Sequence, residues 1–138
     1  MTRLLIDSNI WIYAMNGRHP DIRKKLESKT LNDVFLSDIV AGELAFGWEN
    51  SNKPAATQKA VEQFLAPFPH LSTDSATAKK YAQIRRSLQA KGTPIGMNDL
   101  WIAAQAITHK MTLVTHNTRE FSRVEGLKLE DWVTVPSK

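Results

Sequence analysis

The 138-residue sequence contains no cysteine, which excludes disulfide bonds, thiolate metal sites and a cysteine nucleophile. It also lacks an apolar run approaching the ~20 residues that a membrane-spanning helix needs. The N-terminus carries one arginine followed by a strand-like segment, which is unlike the long apolar region of a secretory leader. These absences predict a cytoplasmic protein without a membrane segment.

The composition is otherwise that of an ordinary globular domain, with 42% hydrophobic and 23% charged residues. A chain of this length can bury a sizeable core, so we expect a single domain over residues 1–138. The net charge of +4 permits a polyanionic partner without requiring one.

The chain opens with a strand–turn–helix pattern. Residues 4–6 form an unbroken apolar run, which predicts a strand that is buried on both faces. Asp7 follows at its carboxyl end, and residues 10–15 continue as an apolar helix. Ligands of open parallel sheets bind at the carboxyl ends of the strands, so Asp7 is a candidate site residue. The alternative is that Asp7 only caps the helix.

The rest of the chain alternates short apolar runs with helical patterns. Helices are predicted over residues 19–28, 39–49, 54–65, 75–91 and 98–107, and strands over 34–36, 70–72 and 112–115. A one-turn helix or loop at 117–123 and an edge strand ending near Trp132 complete the pattern. This order predicts an α/β fold, a three-layer sandwich whose central, mostly parallel sheet is flanked by helices.

Glu43 lies on the apolar face of the helix at 39–49, because Ile39 and Val40 precede it by four and three residues. A carboxylate there is costly unless it is paired or meets a metal ion. The alternative is an edge residue that reaches solvent. Gly42 and Gly47 are poor helix formers, which predicts close approach of another backbone.

Asp99 stands in the first turn of the helix at 98–107, on the same face as Ile102 and Ala103. That helix is apolar on nearly all sides and should be central. The helix dipole stabilises an ionised carboxylate at this position. The alternative is simple helix capping, although the buried face argues against an exposed cap.

A fourth polar group is expected after the strand at 112–115, where either Asn117 or Glu120 can join the acids. Glu120 can equally be an exposed partner of Arg119 or Arg123. Convergence of these carboxylates in a partly dry cleft would require cations. Oxygen ligands without histidine or cysteine favour Mg²⁺ or Mn²⁺ over Zn²⁺.

In their order and spacing these motifs resemble the PIN domain, specifically the VapC-type toxin ribonucleases. The matching segments run nearly from end to end: residues 5–9, 43–47, 94–96, 98–104, 114–115, 117–121, 126–127 and 130–132. The resemblance implies a divalent-metal site, endoribonuclease activity on single-stranded RNA, a VapB-like antitoxin and a homodimer. Position 117 is Asn where many members of the family carry Asp, which favours Glu120 as the fourth acid.

The leading hypothesis is metal-dependent hydrolysis of RNA by a toxin. The catalytic candidates are Asp7, Glu43, Asp99 and Glu120. Asp7 and Asp99 would hold Mg²⁺ or Mn²⁺, and Glu43 would orient a water molecule. The candidates for holding the carboxylates in place are Ser8, Asn9, Thr115 and Asn117.

Two basic helical segments, at 23–25 and 79–91, can contact RNA phosphates or can simply be solvated faces. A tRNA loop is a plausible target by the same resemblance. Trp48 is favoured as part of a partner groove beside Phe46, and most other aromatic residues as core.

Two alternatives stay open. The first is a non-catalytic PIN-like module that binds RNA or a partner, which the intact acids disfavour. The second is a phosphoacceptor switch with an Asp–Mg²⁺ pocket, which needs acids at strand ends. Glu43 and Asp99 are predicted on helices, which disfavours it.

Overall fold

The computed structural model describes residues 2–134, which form a five-stranded sheet between helices. The strands are β1 (Leu4–Ile6), β2 (Val34–Ser37), β3 (His70–Leu71), β4 (Thr112–Val114) and β5 (Leu129–Glu130). The α-helices are α1 (Ser8–Asn16), α2 (Pro20–Glu27), α3 (Asp38–Glu49), α4 (Pro54–Leu65), α5 (Ser75–Lys91), α6 (Met97–Thr108) and α7 (Thr118–Phe121). A 3₁₀ turn at Leu31–Asp33 precedes β2.

The sheet has the order β3-β2-β1-β4-β5, and all its pairings are parallel. Leu5 pairs with Phe35 of β2 on one side and with Leu113 of β4 on the other. The chain runs from β1 outward to β3 and returns to β4 on the opposite side of β1. This reversal of strand order leaves a crevice at the carboxyl ends of β1 and β4, where ligands of such sheets bind.

The three central strands are buried because both faces of the sheet are covered by helices. Leu4, Leu5 and Ile6 are at most 2% exposed. Helix α6 is as central as its apolar sequence predicts, since Ile102, Ala103, Ala104 and Ala106 have no exposed surface. The predicted α/β sandwich is therefore confirmed, with a sheet that is parallel throughout the described strands.

The helix starts explain small departures from the predicted boundaries. Asp7 is the N-cap of α1 and accepts from the Ser8 N–H, so Ser8 is already helical. Ser37 caps α3 and Asp74 caps α5. Helix α6 begins at Met97, one residue earlier than predicted, without a side-chain cap. Strand β5 ends at Glu130, two residues before Trp132.

The prediction of close backbone approach at Gly42 and Gly47 is wrong for the described part of the chain. Both glycines are exposed on α3, and a Cβ atom at either would meet nothing within 4 Å. They lie on the side of α3 that faces away from the core. Within residues 2–134, no helix combines the length and apolar character needed to cross a bilayer.

Candidate active site

Asp7 occupies the carboxyl end of β1 and is only 7% exposed. Its Oδ1 accepts from the Ser8 N–H at 2.8 Å, and its Oδ2 accepts from the Thr115 hydroxyl at 2.8 Å. Thr115 follows β4, so the two central strands deliver this pair. Burial raises the pKa of Asp7, the two hydrogen bonds oppose that rise, and the charge of Glu43 adds to it. Asp7 both caps α1 and lies in the crevice, where a cation would stabilise its charge.

Glu43 projects from α3 into the same crevice and is half-buried. Its Oε1 accepts from the Ser8 hydroxyl, and its Oε2 accepts from Asn98 Nδ2 at 3.3 Å. Ser8 is the residue that follows Asp7, so one short segment holds two of the carboxylates. Glu43 is thus bound by neutral donors and does not simply reach into solvent.

Asp99, in the first turn of α6, is a carboxylate on which the charges of three other acids act. Its burial raises its pKa to about 6, and the charges of Asp7, Glu120 and Glu43 contribute to that rise. The amide of Asn117 donates to Asp99 Oδ2 at 3.4 Å and partly offsets the effect. Hydrogen bonds through Ser8 and Asn117 join the acids in two pairs, and the charges of the other three act on Asp99.

Glu120 and Asn117 both belong to the cluster, and they play different parts in it. The Asn117 amide donates to Glu120 Oε2 at 3.1 Å as well as to Asp99, so it links two groups that would otherwise repel. Glu120 Oε1 also accepts from the Gly96 N–H at 3.0 Å. These two hydrogen bonds, with the nearby charge of Arg123, lower the pKa of Glu120. Glu120 therefore lies beside Asp99, and the Asn117 amide links the two side chains.

Asn9 is the one predicted site residue that stays apart. Its side chain is exposed on the first turn of α1, and within residues 2–134 no hydrogen bond joins it to the acids. His116 lies at the periphery, where its Nδ1 is 3.0 Å from Asp131 Oδ2.

Two contacts were missed by reasoning from the sequence alone. The sequence pattern predicts Asn98 only as the start of a helix, although its amide donates to Glu43. No sequence pattern indicates that the Gly96 N–H donates to Glu120. A signal for the first was available, because Asn98 stands directly beside Asp99 in the first turn of an otherwise apolar helix.

The donors of this site suit a divalent cation by their chemistry. They are carboxylate oxygens around a buried, negatively charged crevice, which Mg²⁺ and Mn²⁺ prefer as ligands. Within residues 2–134, however, no three Asp, Glu, His or Cys side chains are spaced as a complete ligand set. Ser8 instead joins Asp7 to Glu43, and Asn117 joins Asp99 to Glu120.

Comparison with known proteins decides the family. The sequence model of the PIN domain matches residues 4–127. The chain belongs to the PIN-domain family. Ribonuclease VapC2 of Rickettsia felis is 38% identical over 130 residues, which are 93% of this chain and 96% of that protein. The tRNA(fMet)-specific endonuclease VapC of Shigella flexneri is 33% identical, over 96% of this chain and 99% of that one.

Solved structures agree with this PIN-domain assignment. A chain in the crystal structure of DNA-bound VapBC from Salmonella typhimurium superposes with a TM-score of 0.90 at 34% identity. The match covers 96% of this chain and 100% of that one. The predicted family and fold class are therefore confirmed, and the predicted enzyme class, a nuclease, is that of these relatives. PIN-domain nucleases generally depend on a divalent metal ion.

Proposed function

We propose that this PIN-domain protein is a metal-dependent endoribonuclease that acts as the toxin of a toxin–antitoxin pair. The observation that carries the proposal is the cluster of Asp7, Glu43, Asp99 and Glu120 at the carboxyl ends of β1 and β4. The same cluster lies in a chain that is 38% identical to a ribonuclease over most of its length.

Asp7 and Asp99 would hold Mg²⁺ or Mn²⁺, because they are the most deeply placed carboxylates whose pKa values are raised. Bound there, a divalent ion supplies Lewis acidity to a phosphodiester and lowers the pKa of water. Glu43, facing the crevice from α3, orients the attacking water molecule. Glu120 completes the negative surface that the cation requires.

The polar neighbours act by holding these acids in place. Thr115 fixes one oxygen of Asp7, Ser8 fixes one oxygen of Glu43, and Asn117 spans Asp99 and Glu120. Neutral donors can perform this task without adding charge of their own, and such groups tune the affinity of a metal site.

We propose single-stranded or loop RNA as the substrate, with a tRNA loop as the first candidate. The relative from Shigella flexneri is a tRNA(fMet)-specific endonuclease, which makes that tRNA the natural starting point. Exposed basic residues on α2 (Arg23, Lys24 and Lys25) can contact RNA phosphates. The proposed place of action is the cytoplasm, where tRNA is found.

The proposed partner is a VapB-like antitoxin that covers α3. Phe46 on this helix is 68% exposed. Trp48 is half-buried and lines a cavity of about 340 Å³ with Leu36 and Leu65. An apolar antitoxin segment would bury this surface, and an arginine could pair with the acids and displace the cation. The protein from Salmonella typhimurium is a VapBC complex, and a homodimer of the toxin is part of the same proposal.

The decisive experiment incubates the purified protein with tRNA in Mg²⁺, in Mn²⁺ and in EDTA. We expect cleavage only with a divalent ion, and its loss in Asp7→Asn. Asp131→Asn is the matched control, since Asp131 is exposed and pairs with His116 outside the cluster. A folded protein that binds tRNA but never cleaves it would favour the non-catalytic module. Phosphorylation by acetyl phosphate would favour the switch.

The partner proposal is tested by co-expression. The wild type should slow growth, and its antitoxin should relieve that effect. Phe46→Ser should remain toxic but escape relief, whereas Leu31→Ser, which is 49% exposed away from α3, should still be relieved. A protein that never slows growth would contradict the toxin role but leave the nuclease role standing.

A further inference from the structure

Gln105 is a fully buried amide in the apolar part of α6, and its side chain is hydrogen-bonded at both ends. Its Nε2 donates to Asp38 Oδ1 at 2.8 Å and to Thr73 Oγ1 at 3.3 Å. Its Oε1 accepts from the Ser37 hydroxyl. One side chain thus joins α6 to the start of α3 and to the loop before α5.

The two α3 partners of Gln105 are the residues that begin that helix. Ser37 is the N-cap, and its hydroxyl oxygen accepts from the N–H groups of Ile39 and Val40. Asp38 is the first helical residue, and its carboxylate also accepts from the Thr73 N–H and hydroxyl. Gln105 therefore holds α3 at the point where its direction is set.

The candidate acids lie farther along the same two helices, Glu43 in the middle of α3 and Asp99 in the first turn of α6. Glu43 is six residues after Ser37, and Asp99 is six residues before Gln105. At about 1.5 Å per residue both distances are about 9 Å along the helix axes. Asn98 closes this end by donating to Glu43. The helices run antiparallel over this stretch, with the Gln105 contacts at one end and the acids at the other.

We infer that Gln105 is a positioning residue whose hydrogen bonds to Ser37 and Asp38 set the separation of Glu43 from Asp99. This inference rests on the proposed function, because the separation matters only if the acids bind a cation. Like-charged carboxylates push α3 and α6 apart in the absence of a cation. A fully paired buried amide resists that movement, and its geometry is more specific than apolar packing alone.

The test first breaks the hydrogen bond between Gln105 and Asp38 and then restores it with donor and acceptor exchanged. Gln105→Glu keeps an acceptor for Ser37 but sets a carboxylate against Asp38. The double variant Asp38→Asn/Gln105→Glu restores a donor–acceptor pair with the roles exchanged, and it carries the net charge of the wild type. Thr108→Val is the control, since its hydroxyl is buried on the same helix without a hydrogen-bond partner in residues 2–134.

Mn²⁺ affinity, measured by calorimetry on the whole chain, is the readout. We expect Gln105→Glu to bind Mn²⁺ about tenfold more weakly, as for other residues that support metal ligands. The double variant should recover most of that loss, and Thr108→Val should match the wild type. RNA cleavage by Gln105→Glu should recover at saturating Mn²⁺, which unfolding would not allow. If only its charge mattered, the carboxylate added by Gln105→Glu would instead strengthen Mn²⁺ binding.

Wild-type affinity in Gln105→Glu, or a double variant no better than that single variant, would overturn the inference. If Gln105→Glu does not fold by circular dichroism, Asp38→Ala replaces it, because Asp38 is exposed. Wild-type Mn²⁺ affinity in Asp38→Ala would then overturn the inference as well. Failure of the proposed function is seen separately, because the wild type itself would then bind no Mn²⁺ and cleave no RNA.

Discussion

Asp74 and Asp99 are the same residue type at the N-terminal ends of two neighbouring antiparallel helices, α5 and α6. Their pKa values nevertheless move in opposite directions. Hydrogen bonds from Thr77 and the nearby His109 lower the pKa of Asp74. Burial and three other carboxylates raise the pKa of Asp99 to about 6.

The difference lies in what each carboxylate meets. Asp74 is exposed, caps α5 through the Thr77 N–H at 2.8 Å, and lies 3.1 Å from His109 Nε2. Asp99 has the same favourable helix dipole but faces Asp7, Glu43 and Glu120. Position at the start of a helix therefore does not decide whether the pKa of a carboxylate is raised or lowered. Asp74 stabilises the fold. Asp99 lowers the stability of the metal-free protein, and a bound cation would offset that effect.

Substitutions of Asp99 and Asp74 should differ most in their effect on the rate of RNA cleavage. Asp99→Asn should reduce tRNA cleavage in Mg²⁺ by about a thousandfold, equivalent to roughly 4 kcal/mol of transition-state stabilisation. Asp74→Asn makes the same substitution at the other helix start and should leave the rate unchanged. Single-turnover rates of the three proteins measure this. Comparable losses in both variants would mean that Asp99 acts only on the fold.

Stability at neutral pH without metal should move the other way. The shift of the Asp99 pKa from 3.8 to about 6 corresponds to roughly 3 kcal/mol, and solvent screening reduces this to about 1–2 kcal/mol. Asp99→Asn should therefore raise the free energy of unfolding in EDTA by about that amount. The loss of the favourable interaction between the Asp99 carboxylate and the helix dipole reduces this gain.

This gain should depend on pH in a defined direction. Because the folded pKa of Asp99 is raised, the wild type pays no penalty below about pH 4, where the carboxyl is protonated in both states. The penalty grows as the pH rises toward 6 and is complete above it. Urea titrations at pH 4 and 7.5 compare the proteins. An equal gain at both pH values would exclude a charge effect.

Metal should narrow the gap between Asp99→Asn and the wild type. At a Mg²⁺ concentration ten times its dissociation constant, binding stabilises the folded wild type by about 1.4 kcal/mol. The variant lacks a proposed ligand and gains less. Thermal melts with Mg²⁺ and with EDTA measure the change, with Ca²⁺-free buffers throughout. A wild type that is insensitive to Mg²⁺ would count against a shared cation site.

The smallest effect is expected at Asp74. Asp74→Asn keeps a good helix cap but removes the charge beside His109, so it should be slightly less stable than the wild type at neutral pH. Since the folded pKa of Asp74 is lowered, its contribution is present above its unfolded pKa and is lost as the pH falls through the folded value. Urea titrations should show that the difference in unfolding free energy between the wild type and Asp74→Asn becomes smaller in acid. A gain in stability would end the contrast with Asp99.

The sequence by itself determined the elements of the fold. Apolar runs predicted β1, β2 and β4, and helical spacing with capping residues predicted α3, α5 and α6 to within one or two residues. These signals are local, because periodicity and capping depend on residues a few positions apart. Asp7, Glu43 and Asp99 could be identified for the same reason, because each is a carboxylate in or beside an apolar segment. Their common motif order also predicted the PIN family.

Only the tertiary structure decided how the acids are held. Ser8 and Glu43 are 35 residues apart in the chain, Asn98 and Glu43 are 55 apart, and Ser37 and Gln105 are 68 apart. No local pattern encodes such pairs, because each depends on how the sheet order sets α3 and α6 across the crevice. The same long-range packing left Gly42 and Gly47 exposed and made Asn117 the link between Asp99 and Glu120. Side-chain hydrogen bonds are short and directional. They form only when the fold brings a donor and an acceptor from distant segments within about 3 Å of each other.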